Sequence, residues 1–267
     1  MKSYISYFIL KYKIGLQYRA SAMAGIATQI FFGLVYISIY LAFYESDISN
    51  LPMELPKLVS YLWLNQAFLA IVNTWYKNSE LVELIKTGNL AYELARPQDV
   101  FMMWVAKIYG EKLSSASLRF IPVILFGIIM PYPYHLDLKI SLIRLLVFII
   151  SFILASVIVT LCILLFHIIV IYTLDDKGVA NMFVLISDIL SGGVIPLPFF
   201  PKYIINIINL FPFRYIADFP LRLYVGDIPI IDGLYGIIIQ LIWIIILYIS
   251  GKLLMRHALS NVVIQGG

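Results

Sequence analysis

Six long apolar stretches fill most of this chain, and they decide the solvent in which it folds. They cover residues 21–44, 58–76, 118–130, 143–173, 179–200 and 233–255. A helix needs roughly 20 apolar residues to cross a hydrocarbon layer about 30 Å thick. Only 13% of the residues are charged, whereas soluble domains carry about a quarter. The sequence therefore predicts an all-α membrane protein with six transmembrane helices in a single transmembrane domain, residues 1–267.

Two of the stretches are irregular. Four polar residues interrupt the second one: Asn65, Gln66, Asn73 and Thr74. The third reaches spanning length only if its helix begins before Arg119, near Val105. Runs such as residues 145–158 do not alternate in polarity as the strands of a membrane β-barrel do. We therefore interpret all six stretches as helices.

The first 20 residues mix aromatic and basic side chains: Tyr4, Tyr7, Phe8, Lys11, Tyr12, Lys13, Tyr18 and Arg19. This mixture is typical of a helix that lies in the lipid headgroup layer. Residues 1–20 are therefore predicted to form an interfacial helix, and an extension of the first span is the alternative. No small-residue cleavage site follows, so we expect an uncleaved anchor.

The distribution of Lys and Arg predicts the orientation. With a cytoplasmic N-terminus, 13 of the 19 basic residues lie in inside segments and 6 lie in outside segments. Because short cytoplasmic loops are enriched in Lys and Arg, both termini are predicted to be cytoplasmic. The net charge of +4 is therefore interpreted as a topology signal, and no nucleic-acid partner is expected.

The longest cytoplasmic loop carries an amphipathic helix signal. Leu81, Leu84 and Ile85 recur at helical spacing. The signals for the two ends of the helix are a capping serine, two acidic residues and a Gly-Asn pair: Ser79, Glu80, Glu83, Gly88 and Asn89. The apolar face of this helix can pack on its own bundle or dock in a groove of a partner.

Glycines and prolines break the chain between the fifth and sixth stretches: Gly192, Gly193, Pro196, Pro198, Pro201 and Pro212. A proline inside a helix costs roughly 3 kcal/mol. Backbone groups freed at membrane depth are tolerated only when they are buried in protein or line a cavity. An outer re-entrant hairpin and loop is therefore predicted for residues 191–222, with a short helix over residues 203–210.

Five residues are candidates for a pathway or gate: Asp188, Phe199, Phe200, Phe211 and Phe213. The four phenylalanines are predicted to form an apolar plug, and a rigid outer cap without a gating role is the alternative. An intramembrane carboxylate such as Asp188 is costly and marks function by default. It could line the pathway, or it could pair with His167 or Asn181.

Several chemistries are excluded. The chain lacks the Gly-x-x-x-x-Gly-Lys-[Ser/Thr] phosphate loop, so it has no ATP site of that type. His135, His167 and His257 are far apart and show no metal-ligand spacing, so no metal site, cofactor or catalytic residue is predicted. The lone Cys162 cannot form a disulfide within the chain.

Two segments carry a family resemblance. In residues 81–97 a short helix is followed by Gly88-Asn89 and then Arg96-Pro97, and residues 191–220 hold the Gly and Pro pattern described above. Tyr18-Arg19-Ala20 precedes the first span. In length, span count and motif order, the chain resembles a six-span branch of the ABC-2 type transporter permeases.

The resemblance implies that the chain is the transmembrane subunit of an exporter in the cell membrane. Its cargo would be a hydrophobic or amphipathic drug, antibiotic or peptide. An ABC ATPase dimer from separate chains would carry ATP and Mg²⁺, and a second permease, related or identical, would complete the assembly. It also implies that the loop of residues 78–98 couples to the ATPase through Glu80, Leu81, Glu83, Leu84, Ile85, Gly88, Asn89, Arg96 and Pro97.

Two other function classes stay open. A proton-coupled secondary transporter would favour internal repeats and paired broken helices. An intramembrane enzyme, for instance a lipid-processing enzyme or a protease using His167 and Asp188, would need a clustered polar site. Stable copurification with an ATPase would discriminate both from the permease.

Overall fold

The computed structural model describes residues 1–46, 51–74, 77–94 and 97–260, which form helices and turns without a strand. The helices are α1 Lys2–Gly15, α2 Arg19–Ser46, α3 Leu55–Val72, α4 Ser79–Lys86, α5 Leu90–Leu94, α6 Val100–Ile129, α7 Leu142–Thr173, α8 Asp176–Leu190, α9 Lys202–Ile208, α10 Asp218–Val225 and α11 Ile230–Ser260. In this described part, five helices are long and apolar enough to cross a membrane: α2, α3, α6, α7 and α11. The predicted all-α membrane fold is confirmed.

The fifth predicted stretch is shorter than expected. Helix α8 has 15 residues, about 22 Å at 1.5 Å per residue, and it ends before Ser191. The chain then turns at Gly192, whose φ of 75° is accessible to glycine at little cost. Pro196 removes a further backbone donor, so the second half of the stretch does not continue the helix.

The bundle is organised around α7, the most apolar span. Ile158, Ile163 and Leu164 are fully buried at its centre, and α7 packs extensively on α11. The buried Gln240 of α11 donates its amide N–H groups to the carbonyl oxygens of Ser151, at 3.0 Å, and Tyr215, at 3.1 Å. These bonds fix the register of α11 against α7.

Helix α1 lies along the first half of α6. The Tyr4 hydroxyl accepts from the Asp99 amide at 3.0 Å, and the Tyr12 hydroxyl donates to Ser117 Oγ at 3.2 Å. Gly110 allows this close approach, because a Cβ there would lie 2.9 Å from the Phe8 carbonyl oxygen. No residue of α1 is buried, so its outer face is available to a lipid surface or a partner.

The hairpin segment, residues 191–222, folds back onto the bundle. A 3₁₀ turn at Leu197–Phe199 precedes α9, and α9 occupies most of the predicted short helix. The buried Asp218 joins both sides of the segment, since its amide donates to the Ser191 carbonyl at 3.1 Å and its Oδ1 accepts from the Leu197 amide at 3.3 Å. Tyr61 of α3 donates to the Gly192 carbonyl at 3.1 Å.

Candidate substrate-binding cavities

A polar cavity of about 400 Å³ lies between α2, α3, α6 and α8. Its hydrophilic lining consists of Thr28, Gln29, Asn65, Gln66, Asn73, Arg119, Asp188 and Ser191. Phe32 and Tyr36 of α2 add two aromatic rings to the wall. The cavity therefore offers one guanidinium, one carboxylate and several amides inside an otherwise apolar bundle.

The polar interruptions of the second stretch supply one wall. Asn65, Leu69 and Asn73 recur every four residues, so they lie on one face of α3 and at its end, and all three line the cavity. The sequence marks Asn65 and Asn73 as interruptions of the stretch but gives them no role. Their separation of eight residues is the local signal that both lie on one face of a helix.

Three buried polar atoms in this cavity have no hydrogen-bond partner within the described part of the chain: Gln29 Oε1, Asn65 Oδ1 and Arg119 Nε. The side chains of Gln29 and Asn65 are each only 3% exposed. The Asn65 amide nitrogen does have a partner, since it donates to the Gly193 carbonyl at 2.9 Å. Buried polar atoms in native proteins are normally paired, so these three require an explanation.

An apolar cavity of about 650 Å³ lies beside the polar one. Tyr36 and Val194 line both cavities. The remaining wall of the apolar cavity is formed by Ile39, Tyr40, Phe43, Leu51, Pro52, Ile195, Pro198 and Phe199. The polar and the apolar cavity are therefore neighbours that share two wall residues.

A third cavity, of about 490 Å³, lies beside α8 and is lined by Asp188, Val194 and Phe200 together with five mostly apolar neighbours. Asp188 and Val194 also line the polar cavity. Asp188, singled out from the sequence, therefore faces two cavities at the point where α8 ends.

The four predicted gate phenylalanines have different surroundings. Phe199 lines the apolar cavity, with its ring centroid 5.0 Å from that of Tyr40, and Phe200 lines the third cavity. Phe213 packs instead on Phe183 at 6.2 Å between centroids, and Phe211 is exposed. Among the described residues, no ring contact joins two of the four, and of the four only Phe199 and Phe200 line the polar, the apolar or the third cavity. A single plug formed by all four rings is therefore not seen.

The amphipathic helix predicted in the long loop is α4. Leu81, Val82 and Ile85 are buried in the core of the same chain, while Leu84 is half-buried and Glu83 is exposed. Asn78, and not the predicted Ser79, caps its start: the Asn78 Oδ1 accepts from the Leu81 amide at 2.9 Å. Asn78 precedes the helix in an extended conformation, which brings its side chain back to the first turn.

The end of α4 follows the predicted signal. The last turn closes at Thr87, and Gly88 adopts a φ of 72°. Asn89 and Pro97 are exposed beyond it. Arg96, the remaining predicted coupling residue, lies outside the described residues.

Two ion clusters attach α4 to the bundle. Glu80 accepts from Lys107 of α6 and from Lys11 of α1, the latter at 2.9 Å. These hydrogen bonds lower the pKa of Glu80 to about 2. At the other end of α4, Lys86 and the nearby Lys77 both donate to Asp176, which holds the pKa of that carboxyl well below its usual range.

His167 has a structural role at this end of the molecule. Its Nδ1 bonds the Ile163 carbonyl at 2.8 Å, and its Nε2 accepts from the Asn78 amide at 3.2 Å. Both ring nitrogens are therefore used, and the hypothesis that His167 pairs with Asp188 is wrong. Nor does the described part of the chain hold a cluster of acidic, His and Cys residues that would bind a metal.

In the part of the chain that the structure describes, five helices are long and apolar enough to cross a membrane and pack around neighbouring cavities, which is typical of a multi-pass membrane protein. The family model for the ABC-2 family transporter protein matches residues 55–266, and the chain belongs to this family. The match includes every helix from α3 onward and does not include α1 or α2. No curated protein matches the chain, and no solved structure matches it.

Proposed function

We propose that this permease is the transmembrane subunit of an ABC-2 exporter that moves a hydrophobic or amphipathic molecule out of the cell. The energy comes from ATP and Mg²⁺ bound to a separate ATPase dimer. Both termini are cytoplasmic, with α1 lying as an interfacial helix on the inner surface of the cell membrane, and the hairpin segment is re-entrant from the outer side.

The adjacent polar and apolar cavities support this proposal. Tyr36 and Val194 belong to both walls, so one amphipathic molecule that occupies both cavities would contact these two residues at the boundary. The apolar end lies under the hairpin segment, where Pro198 and Phe199 form part of its wall. A molecule with an apolar body fits this end, and the hairpin segment is suited to control its exit.

Helix α4 supports the coupling role. Its apolar face is held by its own bundle, and the ion clusters at Glu80 and Asp176 join it to α1, α6 and α8. The surface that remains for an ATPase is polar, with Glu83 and Asn89 exposed and Leu84 half-buried at its edge. An ATPase that moves α4 would therefore move the attached helices.

A second permease, identical or related, would complete the assembly by packing on α2. This span exposes large apolar side chains, among them Phe31 at 61% and Phe43 at 60%. Either lipid or a partner helix can cover such residues, but α2 also forms walls of both the polar and the apolar cavity. A partner on this face of α2 would cover the polar and the apolar cavity from the side.

The coupling proposal is tested by Leu84→Asp. A charge placed at the edge of an interface should weaken ATPase binding by about tenfold or more, because an unpaired desolvated charge costs as much as a lost hot spot. The measurement is copurification of the permease with a co-expressed ABC ATPase from the same genome, together with permease-stimulated ATP hydrolysis in proteoliposomes.

The matched control is Leu138→Asp, which places the same charge on an exposed leucine between α6 and α7. It should leave both readings unchanged. If the Leu84→Asp variant binds and stimulates the ATPase like the parent, the proposed coupling surface is wrong. If the parent itself copurifies with no ATPase and its transport follows a proton gradient, the secondary transporter is the better description.

The gate is tested by the double variant Phe199→Ala, Phe200→Ala. Removing both rings should widen the apolar and third cavities and raise the leak of a lipophilic dye several-fold, while ATPase assembly stays intact. Phe211→Ala is the control, since Phe211 is exposed and away from the cavities. Equal leak in the double variant and the parent would contradict a gating role.

A further inference from the structure

The polar cavity contains a cation, Arg119, whose partners are not found among the described residues. Arg119 makes no hydrogen bond or ion pair to any residue in the described part of the chain, and its buried Nε has no acceptor. It lies in the interior of the 30-residue span α6, about 15 Å from the end of the helix at Ile129. An unpaired guanidinium at that depth is costly, so such residues usually mark a ligand pathway.

The backbone of α2 leaves room for this guanidinium. A Cβ at Gly25 would lie 2.6 Å from Arg119 Cζ and 2.7 Å from one terminal nitrogen. A glycine at this point therefore lets the Arg119 head lie directly against α2 at the wall of the cavity. The cation is held in place by packing, while its hydrogen-bonding groups remain unused.

The other charges of the region are distinguishable from Arg119. Lys112, on the same helix, is engaged by Asn73, because its Nζ donates to the Asn73 carbonyl at 2.6 Å and to Oδ1 at 2.8 Å. Asp188 lines the cavity from α8, and no ion pair joins it to Arg119. Arg119 is thus the cation that presents unsatisfied donors to a ligand.

Two acceptors accompany this cation. Gln29 Oε1 and Asn65 Oδ1 are buried in the cavity wall without a donor in the described residues. A ligand that satisfies all three groups needs an acidic group for the guanidinium and N–H or O–H donors for the two amide oxygens. The aromatic rings of Phe32 and Tyr36 then lead toward the apolar cavity.

We propose that the polar cavity binds the head of an anionic amphipath. A carboxylate or phosphate pairs with Arg119, adjacent N–H or O–H groups donate to Gln29 and Asn65, and the apolar body extends past Tyr36 into the apolar cavity. The volumes of about 400 Å³ and 650 Å³ suit a polar head and a larger apolar body. This inference rests on the proposed transport function and names its substrate class.

Binding is measured on the full-length permease in lipid nanodiscs with radiolabelled N-lauroylglycine. This probe has a carboxylate, an adjacent amide N–H and an apolar chain. The matched neutral probe is N-lauroylglycinamide, which differs only in the acidic group. The parent should bind the acid saturably and about tenfold or more tightly than the amide, since hydrogen bonds between charged groups are the strong ones.

Variants identify the groups responsible. Arg119→Gln should lower the affinity for the acid to that for the amide, while Arg119→Lys retains part of the preference because it keeps the charge but loses the planar fork. Gln29→Leu should weaken the binding of both probes by the same factor. Lys57→Gln, which removes a cation near the start of α3 that pairs with Glu54, is the control and should bind both probes like the parent.

Equal binding of acid and amide to the parent, or an unchanged preference in Arg119→Gln, would overturn the anionic class. Absence of saturable binding by either probe would also overturn it. These outcomes are separable from failure of the transport function, because binding is measured without an ATPase. A permease that copurifies with its ATPase and lacks the acid preference would keep the function and lose this substrate class.

Discussion

Polar and charged groups are arranged differently at two places in this molecule. Around α4, every cation in the two ion clusters has a carboxylate partner, with Lys11 and Lys107 on Glu80, and Lys77 and Lys86 on Asp176. In the polar cavity, Arg119, Gln29 and Asn65 each have a buried polar atom without a partner in the described part of the chain. The ion pairs are partly exposed and join helices, whereas buried polar atoms without a partner are available to a ligand.

The largest expected effect comes from removing a paired cation. Lys112→Met should lower the free energy of unfolding by about 1–3 kcal/mol, because it leaves two part-buried oxygens of Asn73 without this donor. Thermal unfolding in detergent should show a fall of about 5–10 °C. Arg119→Met, on the same helix, should leave the melting temperature unchanged or raise it, since it removes an unpaired charge.

Equal destabilisation by the two substitutions would break the comparison. It would mean that Arg119 is held by the fold as firmly as Lys112. Binding of N-lauroylglycine to the same two variants sharpens the test, because only Arg119→Met should abolish the preference for the acid.

A smaller effect, dependent on pH, is expected at Glu80. Its pKa is lowered to about 2 by hydrogen bonds from Lys107 and Lys11, so the folded state favours the carboxylate. The resulting stability is present above the ordinary carboxyl pKa of about 4.3 and is lost as the pH falls toward 2. At pH 7, Glu80→Gln should cost about 1 kcal/mol, because Glu80 is largely exposed and its ion pairs are screened.

Melting curves of parent and Glu80→Gln between pH 7 and pH 3 measure this effect. The two curves should converge as the solution becomes more acidic. A constant separation at all pH values would show that the carboxylate charge is not the source of the stabilisation. Glu83→Gln is the matched control on the same helix, with an exposed side chain.

The smallest effect is expected at Gly25. Gly25→Ala should displace the flexible end of Arg119 with a stability change within about 0.5 kcal/mol. Affinity for N-lauroylglycine should fall about threefold, and the Gly25→Ala change should have no further effect in an Arg119→Gln background. A threefold loss of affinity in the Arg119→Gln background as well would show that Gly25 does not act through Arg119.

The sequence predicted structural features that have a local signal, such as the ends of helices. It did not predict features that arise when distant residues pack together. The start of α6 ahead of Arg119 follows from the length a span needs, and the end of α4 follows from Gly88. The predicted N-cap of α4, Ser79, is one residue after the observed one, Asn78. Both residue types suit an N-cap, and the hydrogen bond between the Asn78 amide and His167 favours Asn78. Periodicity found the apolar face of α4 but not what covers it.

The polar cavity could not be predicted from the sequence. Gln29, Asn65 and Arg119 come from three helices, and nothing in the sequence between them indicates that they meet. The interruption of the second stretch by Asn65 and Asn73 marked one wall. The contact between Gly25 and Arg119, which brings α2 against α6, has no signature in a single sequence because glycines in a span have several uses.

Helix α8 is attached near both ends to residues that follow α3 in the chain. At its start Asp176 is held by Lys77 and Lys86, and near its end Ser187 is hydrogen-bonded to Thr74. An α-helix of this length is stiff along its axis. In the proposed coupling, a displacement of α4 would therefore be transmitted from Asp176 along α8 to Asp188, about 18 Å away, and to Ser191, about 22 Å away. Those two residues form part of the wall of the polar cavity, so the width of the proposed binding cavity would depend on the position of α4.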